Sequence, residues 1–232
     1  MKPTLTYPFS IKFRSKLHPE RLLYTARARF EERISRIRFR TYQIPMFPPG
    51  MHSGSIPDYN QSETAVTPDQ MSALLCGVHE TNHLTEPIVE VGAYRGVTTE
   101  TLARTTPRRL FAVDPYAGYG GAEDDFIAFR ERTRTLENLV HLRETSGAAS
   151  QRPELSLVSF VFVDAVHDYV NAFFDGVTWS RKLTQNGLIA FHDTDTTAFP
   201  GVTRAVWEIL NLSELHLVLH THVPGLIVLK RV

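Results

Sequence analysis

The sequence predicts an α/β protein with a doubly wound, mostly parallel sheet of seven strands that ends in a reversed hairpin. Apolar runs of strand length alternate with segments of helical spacing, as expected for repeated βαβ units. Several of these runs end directly in an acidic residue or a histidine. In an open parallel sheet the carboxyl ends of the strands share one edge, where ligands bind, so these polar residues are candidates for a functional site.

The first forty residues form a basic arm, because they contain eleven Lys or Arg and only three acidic residues. Apolar residues from Leu22 to Ile37 recur at helical spacing within it. We expect this helix to pack on its own domain or on a second subunit. Packing on a second subunit would make the protein a homo-oligomer. Contact with a membrane surface or an acidic partner, and an Arg-rich organelle transit peptide, are the alternatives. Residues 1–59 are therefore read as a helical arm plus a Pro/Gly-rich lid or linker, and residues 60–232 as the main domain.

Composition narrows the class of protein. A chain of 232 residues with 42% hydrophobic residues has the size and apolar content of one α/β domain with a short extension. The 25 Lys and Arg balance the 25 Asp and Glu, so no overall charge favours nucleic acid. The single cysteine, Cys76, suits a reducing compartment, and we find neither a signal peptide nor an apolar run of membrane-spanning length. We therefore expect a cytoplasmic protein.

The first strand of the domain is predicted at residues 88–91, followed by a glycine turn and a helix. Gly92 permits a sharp turn and a close approach of the backbone to a ligand, and Gly96 removes a side chain where the loop enters the helix. A purely structural turn has the same pattern. The next strand closes on Asp114, at a spacing that suits a carboxylate bound to ribose hydroxyls, although an acid before Pro115 is also a common turn residue.

Later strands repeat this plan. Residues 157–163 form an apolar run that ends at Asp164, and residues 188–191 form another that ends at His192 and Asp193. Residues 139–143 read as a short strand before Ser146, and residues 201–210 as a helix. Residues 215–219 and 226–229 then suit the reversed hairpin, since Pro and Gly separate them.

Four segments together resemble the class I S-adenosylmethionine-dependent methyltransferases, which have a Rossmann-like fold. They are residues 90–96 (EVGAYRG), 113–116 (VDPY), 162–169 (FVDAVHDY) and 186–193 (NGLIAFHD). The sequence is most similar to the branch of macrocin-type sugar O-methyltransferases and related metal-dependent O-methyltransferases. Tyr94 departs from the commonest glycine motif, because many class I enzymes carry a middle glycine there.

The resemblance implies that S-adenosylmethionine is the cofactor. It places Glu90, Gly92 and Gly96 along the methionine portion of the cofactor, with Tyr94 and Thr98 in the same loop. It assigns the ribose to Asp114, the region near adenine to Ser146, and a further cofactor contact to Asp164.

The resemblance also implies a divalent metal at the strand ends. Asp164 and Asp193 are the first candidates for ligands of Mg²⁺, which prefers oxygen donors. His192 stands where related enzymes often carry another acid, and an imidazole ligand there would favour Mn²⁺, Fe²⁺ or Zn²⁺ unless it points elsewhere. His167 is the candidate for the general base, with Asp164 as its catalytic partner, and a metal-linked or structural role is the alternative.

The acceptor is expected to be a small polyhydroxylated molecule, such as a sugar moiety or a secondary metabolite. The loops at residues 116–121 and 194–201 are candidates for its pocket, and residues 51–60 for a lid, although all three also read as ordinary loops. A nicotinamide-dependent oxidoreductase is the second hypothesis, because the first βαβ unit would also suit NAD. A non-catalytic scaffold is the third, and it would be favoured if Asp193 pointed away from the cofactor pocket.

Overall fold

A computed structural model describes residues 15–50, 56–118, 121–195 and 197–232. Part of the basic arm (residues 1–14), half of the expected lid (residues 51–55), Tyr119 and Gly120 of one acceptor loop, and Thr196 of the other lie outside the described residues. The helices are α1 (Pro19–Arg38), α2 (Pro68–Glu80), α3 (Val97–Arg104), α4 (Glu123–Thr133), α5 (Ser146–Ala149), α6 (Tyr169–Ser180) and α7 (Pro200–Leu210). The strands are β1 (Ile88–Val91), β2 (Leu110–Val113), β3 (Leu139–Leu142), β4 (Val158–Val163), β5 (Leu183–His192), β6 (Leu217–Val223) and β7 (Leu226–Arg231).

The seven strands form one sheet in the order β3-β2-β1-β4-β5-β7-β6. Strands β1 to β5 pair in parallel, whereas β7 pairs antiparallel with both β5 and β6. This confirms the predicted mostly parallel sheet with a reversed C-terminal hairpin. The order reverses direction at β1, which lies between β2 and β4, so the ends of β1, β2 and β4 border the crevice where such sheets bind ligands.

Helices cover both faces of the sheet, and every residue of β1, β2 and β4 is buried. Alternate side chains enter two separate cores. Val89 and Val161 pack on the side of α6 and α7, whereas Ile88 and Phe160 pack on the side of α2 and α3. Burial on both faces explains why these strands read as continuous apolar runs.

Helix α1 packs against α6 and α7 of its own chain. Asn171 donates a hydrogen bond to the hydroxyl of Tyr24 at 2.8 Å, and Arg204 contacts Glu31 of α1 at 2.8 Å. The described part of the arm is therefore attached to the main domain. A second subunit on this helix stays a prediction, as does contact with a membrane surface. Among the described residues, no helix has the length and apolar character needed to cross a membrane.

Two strands start at residues other than those expected from the sequence. Strand β5 begins at Leu183 instead of residue 188, because Leu183 pairs with Val158 before the irregularity around Asn186, whose φ is 65°. Strand β6 begins at Leu217, because a short helical turn ends at His216 with φ 51°. Neither feature follows from hydrophobic spacing.

Candidate active site

The loop between β1 and α3 turns sharply at its two glycines. Gly92 has φ +94°, and a Cβ atom there would lie 1.9 Å from the backbone oxygen of Asp164. Gly96 has φ +78° and caps helix α3, where a Cβ atom would lie 2.9 Å from the ring of Phe129. Both positions favour glycine, because a side chain would be strained at these φ values and would meet neighbouring atoms. The loop is thus held against the end of β4.

Tyr94 adopts the left-handed conformation that glycine favours, with φ 45°. Its carbonyl oxygen accepts a hydrogen bond of 2.7 Å from the hydroxyl of Tyr116, and its N–H donates to Asp114 Oδ2 at 3.0 Å. These bonds offset part of the cost of a left-handed residue with a side chain. Tyr94 therefore takes up a backbone conformation that glycine would also adopt.

Asp114 lies directly after β2 and joins the two loops. Its Oδ1 accepts the N–H of Tyr116 at 2.8 Å, while Oδ2 accepts the N–H of Tyr94. Burial raises the pKa of its carboxyl above the usual value, although these backbone hydrogen bonds oppose the shift. A carboxylate offers about four lone-pair positions, so these backbone bonds leave acceptor capacity for a further donor. Asp114 also lines the main cavity.

Glu90 and Thr98 lie deeper along the same wall. Glu90 is 1% exposed, and its Oε2 accepts a hydrogen bond from the hydroxyl of Thr99. Burial raises the pKa of Glu90 to about 8; the Thr99 bond opposes the shift, and the charge of Asp164 adds to it. Glu90 is thus largely protonated at neutral pH, in a cavity that Thr98 also lines.

Ser146 borders the cavity, but its hydroxyl is hydrogen-bonded to two side chains of α6. It donates to Asp175 Oδ1 at 2.6 Å and accepts the indole N–H of Trp179 at 2.9 Å. Burial raises the pKa of Asp175 to about 7. The sequence prediction did not include Asp175 or Trp179, because both lie on α6 and reach Ser146 only through the folded chain.

Asp164, His167, His192 and Asp193 come together at the ends of β4 and β5. His167 Nε2 lies 3.1 Å from Asp164 Oδ1 and 3.0 Å from Asp193 Oδ2. His192 Nδ1 lies 3.3 Å and 3.4 Å from the same two oxygens, without hydrogen-bond geometry to either. Asp193 has φ 56°, a strained conformation for a residue with a side chain. Among the described residues, Asp164, His167 and Asp193 offer ligand atoms within 4.8 Å of one another.

Gln70 fixes the tautomer of His192 and was not predicted from the sequence. Its Oε1 accepts the N–H of Thr67, and its Nε2 donates to the carbonyl of Pro224, both at 2.8 Å. The amide orientation is therefore set, and His192 Nε2, 3.0 Å from that oxygen, must carry the proton. In neutral His192 the lone pair is on Nδ1, which faces Asp164 and Asp193.

The charges of the four side chains stabilise one another. Burial by itself would lower the pKa of His192, but Asp164 and Asp193 outweigh it and raise this pKa to about 10. The same carboxylates raise the pKa of His167 against the effect of its burial. The two histidines in turn hold the pKa of Asp164 well below its usual range, although burial opposes the shift.

One cavity of about 690 Å³ connects these groups. Nearly all residues predicted from the sequence line it: Glu90, Gly92, Tyr94, Gly96, Thr98, Asp114, Ser146, Asp164, His167 and Asp193. His192 is the exception, because it is 3% exposed and lies behind the wall that Asp164 and Asp193 form. Asp193 faces the cavity, which removes the condition that would have favoured a non-catalytic scaffold.

Comparisons with known proteins agree with this geometry. A family described as "Methyltransferase domain" matches residues 89–194, from the first strand through the four-residue cluster. Residues 89–194 therefore match a methyltransferase domain. Comparison with curated protein sequences gives no match.

Solved structures show that the methyltransferase fold extends beyond the matched residues. The O-methyltransferase NovP is 16% identical, with 72% of this chain and 83% of that chain covered and a TM-score of 0.56. CalS11, a calicheamicin methyltransferase, is 16% identical over 71% of this chain and 80% of that one, with a TM-score of 0.53. A SAM-dependent O-methyltransferase from Thermotoga maritima is 14% identical, with 74% of this chain and 68% of that chain covered and a TM-score of 0.53. The matched domain and the shared fold together favour a methyltransferase over the oxidoreductase considered as an alternative.

Proposed function

We propose that the protein transfers a methyl group from S-adenosylmethionine to a hydroxyl of a small polyhydroxylated acceptor, with the help of a divalent cation. The cluster of Asp164, His167, His192 and Asp193 beside the cofactor cavity is the observation that carries this proposal. Two structures with the same fold support methyl transfer to a small molecule. NovP is described as an O-methyltransferase and CalS11 as a calicheamicin methyltransferase.

In the proposed cofactor site, the Gly92 to Gly96 loop and Glu90 contact the methionine portion, with Tyr94 and Thr98 beside them. Asp114 accepts hydrogen bonds from the ribose hydroxyls through its unused lone pairs. Ser146 borders the adenine through its backbone, because its hydroxyl is already bound to Asp175. Asp164 then lies between the methionine portion and the acceptor.

The cluster fits a metal site in geometry and charge. An ion about 2.1 Å from each ligand leaves neighbouring ligand atoms about 3.0 to 3.4 Å apart, and the N···O distances in the cluster lie in this range. The carboxylates of Asp164 and Asp193 favour protonated His192, and loss of the Nδ1 proton would give a lone pair that faces both carboxylate oxygens. Two carboxylates also balance the charge of a dication. We therefore assign Asp164, His192 and Asp193 as ligands.

A bound divalent cation would lower the pKa of an acceptor hydroxyl and orient its oxygen towards the methyl group. The imidazole of His192 makes Mn²⁺ better suited than Mg²⁺, which prefers oxygen ligands alone. Asp164 and Asp193 hold the proton of His167 on Nε2, which leaves the lone pair on Nδ1 to accept the hydroxyl proton. A role of His167 as a fourth ligand is the competing assignment.

The test measures metal binding and methyl transfer separately. Calorimetric titration of the full chain with Mn²⁺ and Mg²⁺ should show tighter binding of Mn²⁺, and Asp193→Asn should abolish it. Asp124→Asn removes an exposed carboxylate on α4 and should leave metal binding unchanged. Methyl transfer is then followed by release of S-adenosylhomocysteine across a panel of sugars and diols. Activity that a chelator does not affect would refute the metal-assisted mechanism.

His167→Ala separates the two roles of His167. If His167 is the base, the variant binds Mn²⁺ with the affinity of the parent but loses turnover and the acidic limb of the pH–rate profile. If it is a ligand, metal affinity falls together with turnover.

A further inference from the structure

A second cavity adjoins the candidate active site beneath helix α1. It has a volume of about 610 Å³ and lies between α1 and the segment around Phe199. We call it the α1 groove; its walls are Ala28, Arg29 and Arg33 on one side, with Ala198 and Phe199 on the other. The fold that attaches α1 to α6 and α7 creates this space.

The α1 groove opens onto the reacting groups. His167, Asp168 and Phe199 line both the groove and the main cavity. The ring of Phe199 packs on the imidazole of His167, with 4.7 Å between ring centroids. A molecule that presents a hydroxyl to His167 therefore has room to extend into the groove.

The charge of the α1 groove is unbalanced. The groove is lined by two acids: Glu32 contacts Arg36 at 3.5 Å through Oε1, while its buried Oε2 has no hydrogen-bond partner, and Asp168 accepts two hydrogen bonds from Asn171. Arg29 and Arg33 stand one helical turn apart, and no acidic side chain among the described residues pairs with either. Two like charges at this spacing repel each other, so an anion between them relieves the repulsion.

We propose that the α1 groove binds an anionic group of the methyl acceptor, a phosphate or a carboxylate, through Arg29 and Arg33. Guanidinium groups match the geometry of both anions with paired hydrogen bonds. This inference rests on the proposed function, because it names the class of acceptor that the same site takes. The substrate then has two ends: a hydroxyl at His167 and an anion at α1.

The test uses anion binding to the full chain at low ionic strength, where exposed charges are least screened. Inorganic pyrophosphate and citrate are titrated by calorimetry in the presence of S-adenosylhomocysteine, with neutral glucose for comparison. The double variant Arg29→Gln and Arg33→Gln should weaken anion binding about tenfold or more. Arg27→Gln with Arg38→Gln is the matched control, because it removes the same charge from exposed positions of α1 that do not line the groove.

Equal binding of anions to both double variants would overturn the proposal, as would binding of glucose as tight as that of pyrophosphate. Sedimentation with phosphatidylglycerol vesicles distinguishes a lipid surface from a soluble acceptor. If the parent binds vesicles but not small anions, and both double variants lose vesicle binding equally, the charge of α1 serves a membrane surface. That result would refute an anion site in the α1 groove.

S-adenosylmethionine titration of the same variants separates this inference from the proposed function. Unchanged cofactor affinity in both double variants, with anion binding lost in one, supports both. Anion binding without any cofactor binding would leave the anion site in place and refute the methyltransferase function. Cofactor binding without anion binding would support the methyltransferase function and refute the anion site.

Discussion

Replacement of Glu90 by Gln should remove a pH dependence from cofactor binding. Burial raises the pKa of Glu90 to about 8, and the proposed site places this carboxyl beside the methionine portion of S-adenosylmethionine. The cofactor carries a positive sulfonium and an ammonium group there, and opposite charge favours the ionised carboxylate. Binding therefore lowers the pKa of Glu90 and releases its proton. Cofactor affinity should rise with pH up to about 8 and level off above it.

The size of the effect follows from the fraction of Glu90 that is ionised before binding. With a pKa of about 8, roughly a tenth is ionised at pH 7 and roughly nine tenths at pH 9. The dissociation constant should therefore fall about tenfold over this range, which corresponds to about 1.4 kcal/mol. At pH 7, close to one proton should be released for each cofactor bound.

Calorimetry in two buffers of different ionisation enthalpy measures both quantities. Glu90→Gln keeps an oxygen to accept the Thr99 hydrogen bond but cannot ionise, so its affinity should lack this dependence. The difference between parent and variant cancels the titration of the cofactor's own amino group. Equal pH profiles and equal proton release in the two proteins would show that Glu90 does not ionise when the cofactor binds.

Three further predictions concern positions that support the site. Gly92→Ala should destabilise the protein by about 2 to 5 kcal/mol in urea unfolding, because the new Cβ meets the carbonyl that follows β4, whereas Gly118→Ala, with φ +85° but open space, should cost only the backbone strain. Burial raises the pKa of Asp175 from 3.8 to about 7, so its contribution to stability is complete below about pH 4 and is lost as pH rises to 7. Asp175→Asn should remove this pH dependence, which amounts to at most about 4 kcal/mol. A difference in unfolding free energy between parent and variant that is the same at pH 5 and at pH 8 would contradict this. Gln70→Leu should weaken Mn²⁺ binding about tenfold or more in calorimetry by releasing His192, while Gln70→Glu keeps an oxygen acceptor and should bind more tightly than Gln70→Leu.

The sheet and the strand-end residues could be predicted because local patterns specify them. Buried parallel strands give continuous apolar runs, and the residue after each run lies at the carboxyl edge. Asp114, Asp164 and Asp193 were found by this rule, and all three line one cavity. Gly92 was predicted for its turn, although only the structure reveals how close Asp164 comes to it.

The supporting residues escaped prediction because they act across long separations in the chain. Gln70 looks in sequence like an ordinary capping residue of α2, yet it also meets His192, 122 positions away. Asp175 occupies an amphipathic helix and gives no local sign of its bond to Ser146. The arginines of α1 signalled a basic arm, but the groove beneath them exists only once α1 packs on α6 and α7.

The cavity at the ends of β1, β2 and β4 should bind S-adenosylmethionine, and calorimetric titration of the full chain measures this binding. S-adenosylmethionine should bind at one site per chain while NAD does not, and Asp114→Ala should weaken binding by about 1 to 3 kcal/mol because the ribose loses its acceptor. Binding of NAD, or of neither molecule, would refute the assignment of this cavity to S-adenosylmethionine. Unchanged affinity in Asp114→Ala would contradict the placement of the ribose at the end of β2.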